Sequence, residues 1–157
     1  MSTIEQIKAL REQTSASLSD IQTSLEEAKG DEKKALEMLK KKGQIKASKK
    51  TNRETKEGLI EAYTHMGKIG VLVEVNCETD FVAKNDEFVK FSHDLALQVA
   101  SMNPDDVDEL LAQDYIFDSG KTIKNYLEEI VAKTGENVSI KRFIRFELGG
   151  KDVSKNS

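Results

Sequence analysis

The chain has 157 residues, of which 33% are charged, 38% hydrophobic and 6% aromatic, with one proline, one cysteine and no tryptophan; that length suffices for one compact domain, or a small domain joined to a modest one. The net charge of −4 hides an asymmetry, because residues 33–56 hold ten Lys/Arg against Glu37 and Glu54, while the rest carries 14 basic and 26 acidic residues. Cys77 alone excludes an internal disulfide and fits a reducing compartment, no apolar run approaches the ~18 residues of a membrane span, and Met1-Ser2-Thr3-Ile4-Glu5 opens no signal peptide, so a soluble cytoplasmic protein is expected.

The first 43 residues predict three short helices. Thr3 can cap the first, with Gln6 in capping-box position, and Ile4, Ile7 and Leu10 share one face. Thr14-Ser15-Ala16-Ser17 breaks it. Leu18, Ile21, Leu25 and Ala28 mark a second helix, ended by Gly30. Asp31 caps a third, with Ala35, Leu36 and Leu39 inside and Gly43 closing it. A core of about 40 residues is marginal alone, so this unit is expected to gain stability by docking on a partner. Residues 44–56 offer only Ile45 and Ala47 as apolar positions, which predicts a basic linker, partly helical or mobile.

From Gly58 the period changes to two. Leu59 to His65 and Ile69 to Cys77 predict an antiparallel hairpin around Met66-Gly67-Lys68. Glu78 to Lys84 reads as a loop. Asn85 caps a strong helix with Phe88, Phe91, Leu95, Val99 and Met102 on one face, stopped by Asn103-Pro104. Asp105 to Asp118 is acidic and has room for a helical turn or two. Ile123, Leu127, Ile130 and Val131 mark another helix, ended at Gly135. Val138, Ile140, Arg142, Ile144 and Phe146 then alternate with Ser139, Lys141, Phe143, Arg145 and Glu147 as a third strand, ended by Gly149-Gly150. The expected fold is α+β: a three-helix unit (1–43), a basic linker (44–56), a three-stranded antiparallel sheet covered by helices (57–150) and a tail (151–157).

No catalytic constellation stands out, and neither metal nor cofactor is expected. His65 and His93 have no cysteine at zinc-ligand spacing. Ser119-Gly120-Lys121-Thr122 imitates the end of a phosphate-binding loop, but Tyr115 stands where that motif needs a glycine, so a turn into a helix is expected. Cys77 reads as a buried structural thiol. The lysine strip (Lys40, Lys41, Lys42, Lys46, Lys49, Lys50, Arg53) has no interleaved aromatic for base stacking. It reads as a solvated linker, the alternative being an RNA-binding translation accessory protein that uses residues 40–56.

The segment Asn76-Cys77-Glu78-Thr79-Asp80-Phe81-Val82-Ala83-Lys84-Asn85-Asp86 joins a strand to a helix, where function tends to sit. Residue chemistry leaves two readings. Phe81 can pack into its own core while Asp80 caps a turn, the commoner fate of a phenylalanine. Otherwise the ring is a wedge for a partner's apolar pocket, with the carboxylate fixing orientation at the rim.

Residues across nearly the whole chain resemble the translation elongation factor Ts family. Leu10-Arg11-Glu12-Gln13-Thr14 through Asp20, then Gly30-Asp31, Ala35, Leu39, Gly43 and Lys46-Ala47, are similar to its ubiquitin-associated-like three-helix domain. Glu74-Val75-Asn76-Cys77-Glu78-Thr79-Asp80-Phe81-Val82-Ala83 matches its signature, and Gly135-Glu136-Asn137, Arg142-Phe143 and Arg145-Phe146-Glu147-Leu148-Gly149 match its closing strand. The first loop departs from the family's Thr-Gly-Ala-Gly and two methionines, reading Thr14-Ser15-Ala16-Ser17-Leu18-Ser19. There is one core copy where many members have two, and Asp105 to Asp118 is all that remains of a helical segment longer in other single-core members. The resemblance implies nucleotide exchange on elongation factor Tu without covalent chemistry. Thr79, Asp80, Phe81 and Val82 would disturb the partner's magnesium ion and loosen GDP, and Leu10, Arg11, Thr14 and Leu18 would contact its GTPase domain. A single core copy, where longer relatives present two core halves to the same partner, predicts self-association as a homodimer or a two-plus-two complex with elongation factor Tu; neither a membrane nor a specific nucleic acid is expected as a partner.

Overall fold

The computed structural model describes residues 4–14, 16–50 and 53–150, with the side chains of 44–50 outside that description. Three helices come first: α1 (Ile4–Thr14), α2 (Leu18–Glu27) and α3 (Glu32–Lys50). Leu10, Ile21, Leu25, Ala28, Ala35 and Leu39 form their shared core. The expected cap Thr3 lies outside the described residues. Ser17 caps α2 by accepting from Asp20 N, and the Asp31 carboxylate accepts from Lys33 N and Lys34 N to start α3, each satisfying donors that a helix N-terminus leaves without a partner.

The expected stop at Gly43 is corrected: α3 passes through it to Lys50. Gly30 takes the left-handed φ of 83° that ends a helix, whereas Gly43 does not. A helical glycine costs only about 1 kcal/mol, and the Lys, Gln and Ala around it are strong helix formers.

The remainder is β1 (Glu57–His65), β2 (Ile69–Cys77), α4 (Asp80–Ala83), α5 (Asp86–Met102), α6 (Val107–Ala112), β3 (Asp114–Tyr115), β4 (Asp118–Thr122), α7 (Ile123–Thr134) and β5 (Ser139–Glu147). The fold is α+β, with a three-stranded antiparallel sheet in the order β1-β2-β5. Met66 and Gly67 close the β1–β2 hairpin with φ of 52° and 66°, the turn hand that matches strand twist. Val71, Val73, Val75 and Cys77 of β2 face Phe88, Phe91, Leu95 and Val99 of α5, all buried. Met102, expected on the same stripe, sits in the last turn of α5 and is half exposed.

β5 does not keep one alternation. Glu74 pairs with Arg142 but Val75 with Ile140, leaving Lys141 as an extra residue. Such a bulge moves later side chains to the opposite face. Phe143 is therefore buried at 4% exposure, while Phe146, on the expected apolar face, is 59% exposed. Ile144 and Phe146 stand with Leu72 on the sheet face away from α5.

The segment expected as one or two helical turns holds α6 and then a small hairpin, β3–β4. Ser119 to Thr122 is strand rather than turn, and Thr122 caps α7 through a capping box with Asn125. The hairpin is tied down by Gln98, fully buried on α5, which donates to Asp114 O and accepts from Ile116 N. Asp94 is a second buried anchor, accepting from Tyr126 Oη at 2.6 Å and Lys90 Nζ at 2.7 Å. Burial, with Asp94 adding to it, pushes the Tyr126 and Tyr115 hydroxyls well above their ordinary range. α3 rests on α7 beside a cleft of about 250 Å³ lined by Thr14, Leu39, Gly43, Lys121, Asn125 and Glu128.

A candidate partner-binding prong

The segment after β2 is a single helical turn, α4, rather than the expected loop. Cys77 ends the strand fully buried, and its Sγ donates to Thr79 O at 3.2 Å. Burial, with Glu136 adding to it, raises this thiol from the ordinary 9.0 to about 11. Thr79 caps the turn by accepting from Val82 N, and Asn85 immediately caps α5 by accepting from Glu87 N and Phe88 N. Two caps six residues apart fix the direction of everything between them.

On this turn Phe81 is 89% exposed, the most exposed large hydrophobic side chain among the described residues. The reading that buries the ring in its own core does not hold. Asp80 caps nothing; Thr79 does that, and Asp80 pairs with Lys84 at 2.9 Å in the open, which raises the Lys84 ammonium above its ordinary value. Ala83 is buried and Val82 packs against the core, so the inner side of the turn is anchored while the outer side carries Asp80 and Phe81. Leaving an aromatic ring in water forgoes roughly 25 cal/mol per Å² of burial, so nothing in this fold rewards the placement.

The base of the turn is held from the α7–β5 connection. Glu136 Oε1 accepts from Glu78 N at 3.1 Å and Thr79 N at 3.0 Å, and Glu136 Oε2 accepts from Thr79 Oγ1 at 2.6 Å. In return Glu78 Oε2 accepts from Asn137 N at 2.7 Å and lies 3.8 Å from Arg53. The Asn137 side chain donates to Arg53 O. Gly135 ends α7 with φ 74° and turns the chain toward these contacts.

A family model described as Elongation factor TS matches residues 78–156, half of the chain, beginning at Glu78 in this clasp. Elongation factor Ts of Thermotoga neapolitana is 42% identical over 187 aligned positions, covering 91% of this chain and 95% of that protein. The chain belongs to the elongation factor Ts family. Members from Rubrobacter xylanophilus (43% identical, 92% of this chain, 98% of that protein) and Thermoanaerobacter sp. strain X514 (39%, 99% and 100%) match over comparable spans. The protein is thus a translation elongation factor. Matches of 187 to 203 aligned positions exceed the 157 residues present, so these family members hold residues that this chain lacks.

The second set of family-derived contacts divides in the structure. Leu10 is 2% exposed inside the three-helix core and offers no surface, a correction to its expected contact role. Arg11 is exposed, Leu18 is 49% exposed, and the Thr14 hydroxyl donates to Leu10 O at the end of α1. Of the lysine strip, Lys40 and Lys41 are exposed and Lys42 reaches Ser24 Oγ; the side chains of Lys46, Lys49 and Lys50 lie outside the described residues. His65 and His93 meet Tyr63 and Glu61 at the surface. Among the described residues no group of three or more His, Cys, Asp or Glu could hold a metal ion, and no helix is long and apolar enough to cross a membrane.

Sequence reasoning singled out the segment that holds Glu78 but missed the clasp that joins it to Glu136. Gly135-Glu136-Asn137 was visible as a family feature, but its contact with Thr79 spans 57 residues and leaves no local pattern.

Proposed function

We propose that this chain is a guanine-nucleotide exchange factor for elongation factor Tu. The observation that carries the reading is Phe81, held outside its own fold on an anchored helical turn beside the Asp80 carboxylate. The ring enters an apolar pocket of the partner near its nucleotide site, Thr79 and Val82 frame it, and Asp80 sets its orientation. Displacing the elements that support the partner's magnesium ion leaves phosphate charge poorly compensated, and GDP escapes. Linkage makes this reciprocal: the factor weakens GDP by the same ratio that GDP weakens the complex, typically about 1–3 kcal/mol. The chain makes and breaks no covalent bond in this role and so is not an enzyme in that sense. Arg11 and Leu18 on the three-helix unit supply a second grip on the partner's GTPase domain.

The test is release of labelled GDP from elongation factor Tu. The intact chain is expected to accelerate it, and an Asp80→Ala, Phe81→Ala double variant to lose most of that acceleration while still folding. Undiminished acceleration by the double variant defeats the wedge mechanism. Binding without any acceleration by the intact chain leaves only a tethering adaptor.

The homodimer is proposed on the sheet face that carries Ile60, Leu72 and Phe146, all exposed large apolar side chains. Light scattering at micromolar concentration is expected to give twice the 17.6 kDa chain mass; a clean monomer contradicts it.

A further inference from the structure

The exposed turn is held by very little of its own. α4 has four residues; of its outer side chains, Asp80 pairs with Lys84 just beyond the turn and Phe81 stands in solvent. An isolated single turn is not stable in water, because nucleation costs more than its one or two hydrogen bonds return. Its inner side is anchored by Ala83 and Val82 against the core, and at its base the Glu136 carboxylate gathers three donors, the Glu78 and Thr79 amides and the Thr79 hydroxyl, at 2.6–3.1 Å. These are charge-assisted bonds, shorter and stronger than neutral ones. They place a negative charge at the helix N-terminus, where the backbone dipole favours it. The Thr79 hydroxyl donates to Glu136 while accepting from Val82 N, so the cap that starts the turn is itself aligned by Glu136. Glu78 answers with a bond to Asn137 N, which locks the two connections in register.

We propose that Glu136 is a positioning residue for nucleotide exchange: it holds Thr79 and the α4 turn so that Phe81 is presented in one direction before any partner arrives. The inference rests on the exchange reading above. Glu136 lies at the base of the turn and need not touch the partner; it acts through Thr79. Its effect is preorganisation, since a ring already fixed in its bound direction spends no binding energy on ordering. Its loss therefore lowers the maximal rate of GDP release more than it weakens docking, which the three-helix unit still supports.

The experiment measures GDP release from elongation factor Tu against factor concentration, together with hydrogen exchange of the free factor. In the unaltered chain the Glu78 and Thr79 amides are expected to exchange slowly although Thr79 is exposed. Glu136→Ala is expected to lower the plateau rate about tenfold, on the scale of losing charge-assisted hydrogen bonds. It should shift the half-saturating concentration less than about threefold, and speed exchange at residues 78–84 while Val71 to Val75 stay protected. Glu136→Gln keeps one oxygen acceptor and can donate to Thr79 Oγ1, so it should retain a plateau within about threefold of the original. Fast exchange of the Glu78 and Thr79 amides in the unaltered chain overturns the inference without needing any variant to fold. So does a Glu136→Ala plateau equal to the original, or one that falls with no change of exchange at 78–84. If the unaltered chain accelerates GDP release and the double variant at Asp80 and Phe81 does not, such a result removes Glu136 alone. If the unaltered chain itself fails to accelerate release, the exchange reading fails, and with it the role of Glu136 in exchange.

Discussion

Phe81 and Phe88 lie on consecutive helices, each just after a polar cap, and meet opposite fates: Phe81 is 89% exposed and Phe88 is fully buried. α5 runs for 17 residues over the sheet, and its apolar stripe locks into the Val71, Val73 and Val75 side of β2. α4 lasts four residues, too short to lay a stripe on anything, and is held at its base by hydrogen bonds from a distant loop. The contrast separates a residue that holds the domain together from one that the domain keeps outside its own core.

Truncating Phe88 is the strongest way to sharpen that contrast. Phe88→Ala should cost about 3–5 kcal/mol, the usual loss for a large buried aromatic, read as a drop in denaturation midpoint. Phe81→Ala should leave the midpoint unaltered within about 0.5 kcal/mol, as surface substitutions do. Comparable losses at both positions would break the division between them. Next in size is the cap between the two helices. Asn85→Ala removes the acceptor for Glu87 N and Phe88 N and should cost about 1 kcal/mol; a neutral result would mean that packing alone fixes where α5 starts. An alkaline effect is of the same order as the cap. Cys77 keeps its proton to about pH 11 when folded but only to its ordinary 9.0 when unfolded. Between those values the unfolded chain binds fewer protons, so this contribution, full below pH 9, is lost as pH rises through about 11. Tyr115 and Tyr126 act in the same direction. The denaturation midpoint should therefore fall from pH 8 to pH 10.5, and a flat profile would contradict a sealed Cys77.

How far these features could be read from sequence follows from the range of the forces involved. The period-two run Ile69 to Cys77 and the stripe Phe88, Phe91, Leu95, Val99 are local consequences of burial on one face, and the hairpin and α5 came out as expected. Gly135 was legible as a helix end because positive φ is cheap for glycine. The β5 bulge was not legible: one extra residue at Lys141 arises from pairing with β2, and nothing around Ile140 announces it. The β3–β4 hairpin stayed hidden for a similar reason, since Gln98 and Tyr126 hold it from other elements. At the site, residue chemistry alone favoured a buried Phe81, and the family resemblance was what pointed outward. Glu136 and Thr79 are 57 residues apart and meet only once the fold is complete.

The most direct measurement is the maximal rate of GDP release from elongation factor Tu, compared between the unaltered chain and Phe81→Ala at saturating factor, with complex formation monitored in the same samples. The account predicts that Phe81→Ala still binds and still melts at the original temperature, yet accelerates release at least about tenfold less, on the scale of an interface hot spot. Equal maximal rates from the two proteins would contradict it.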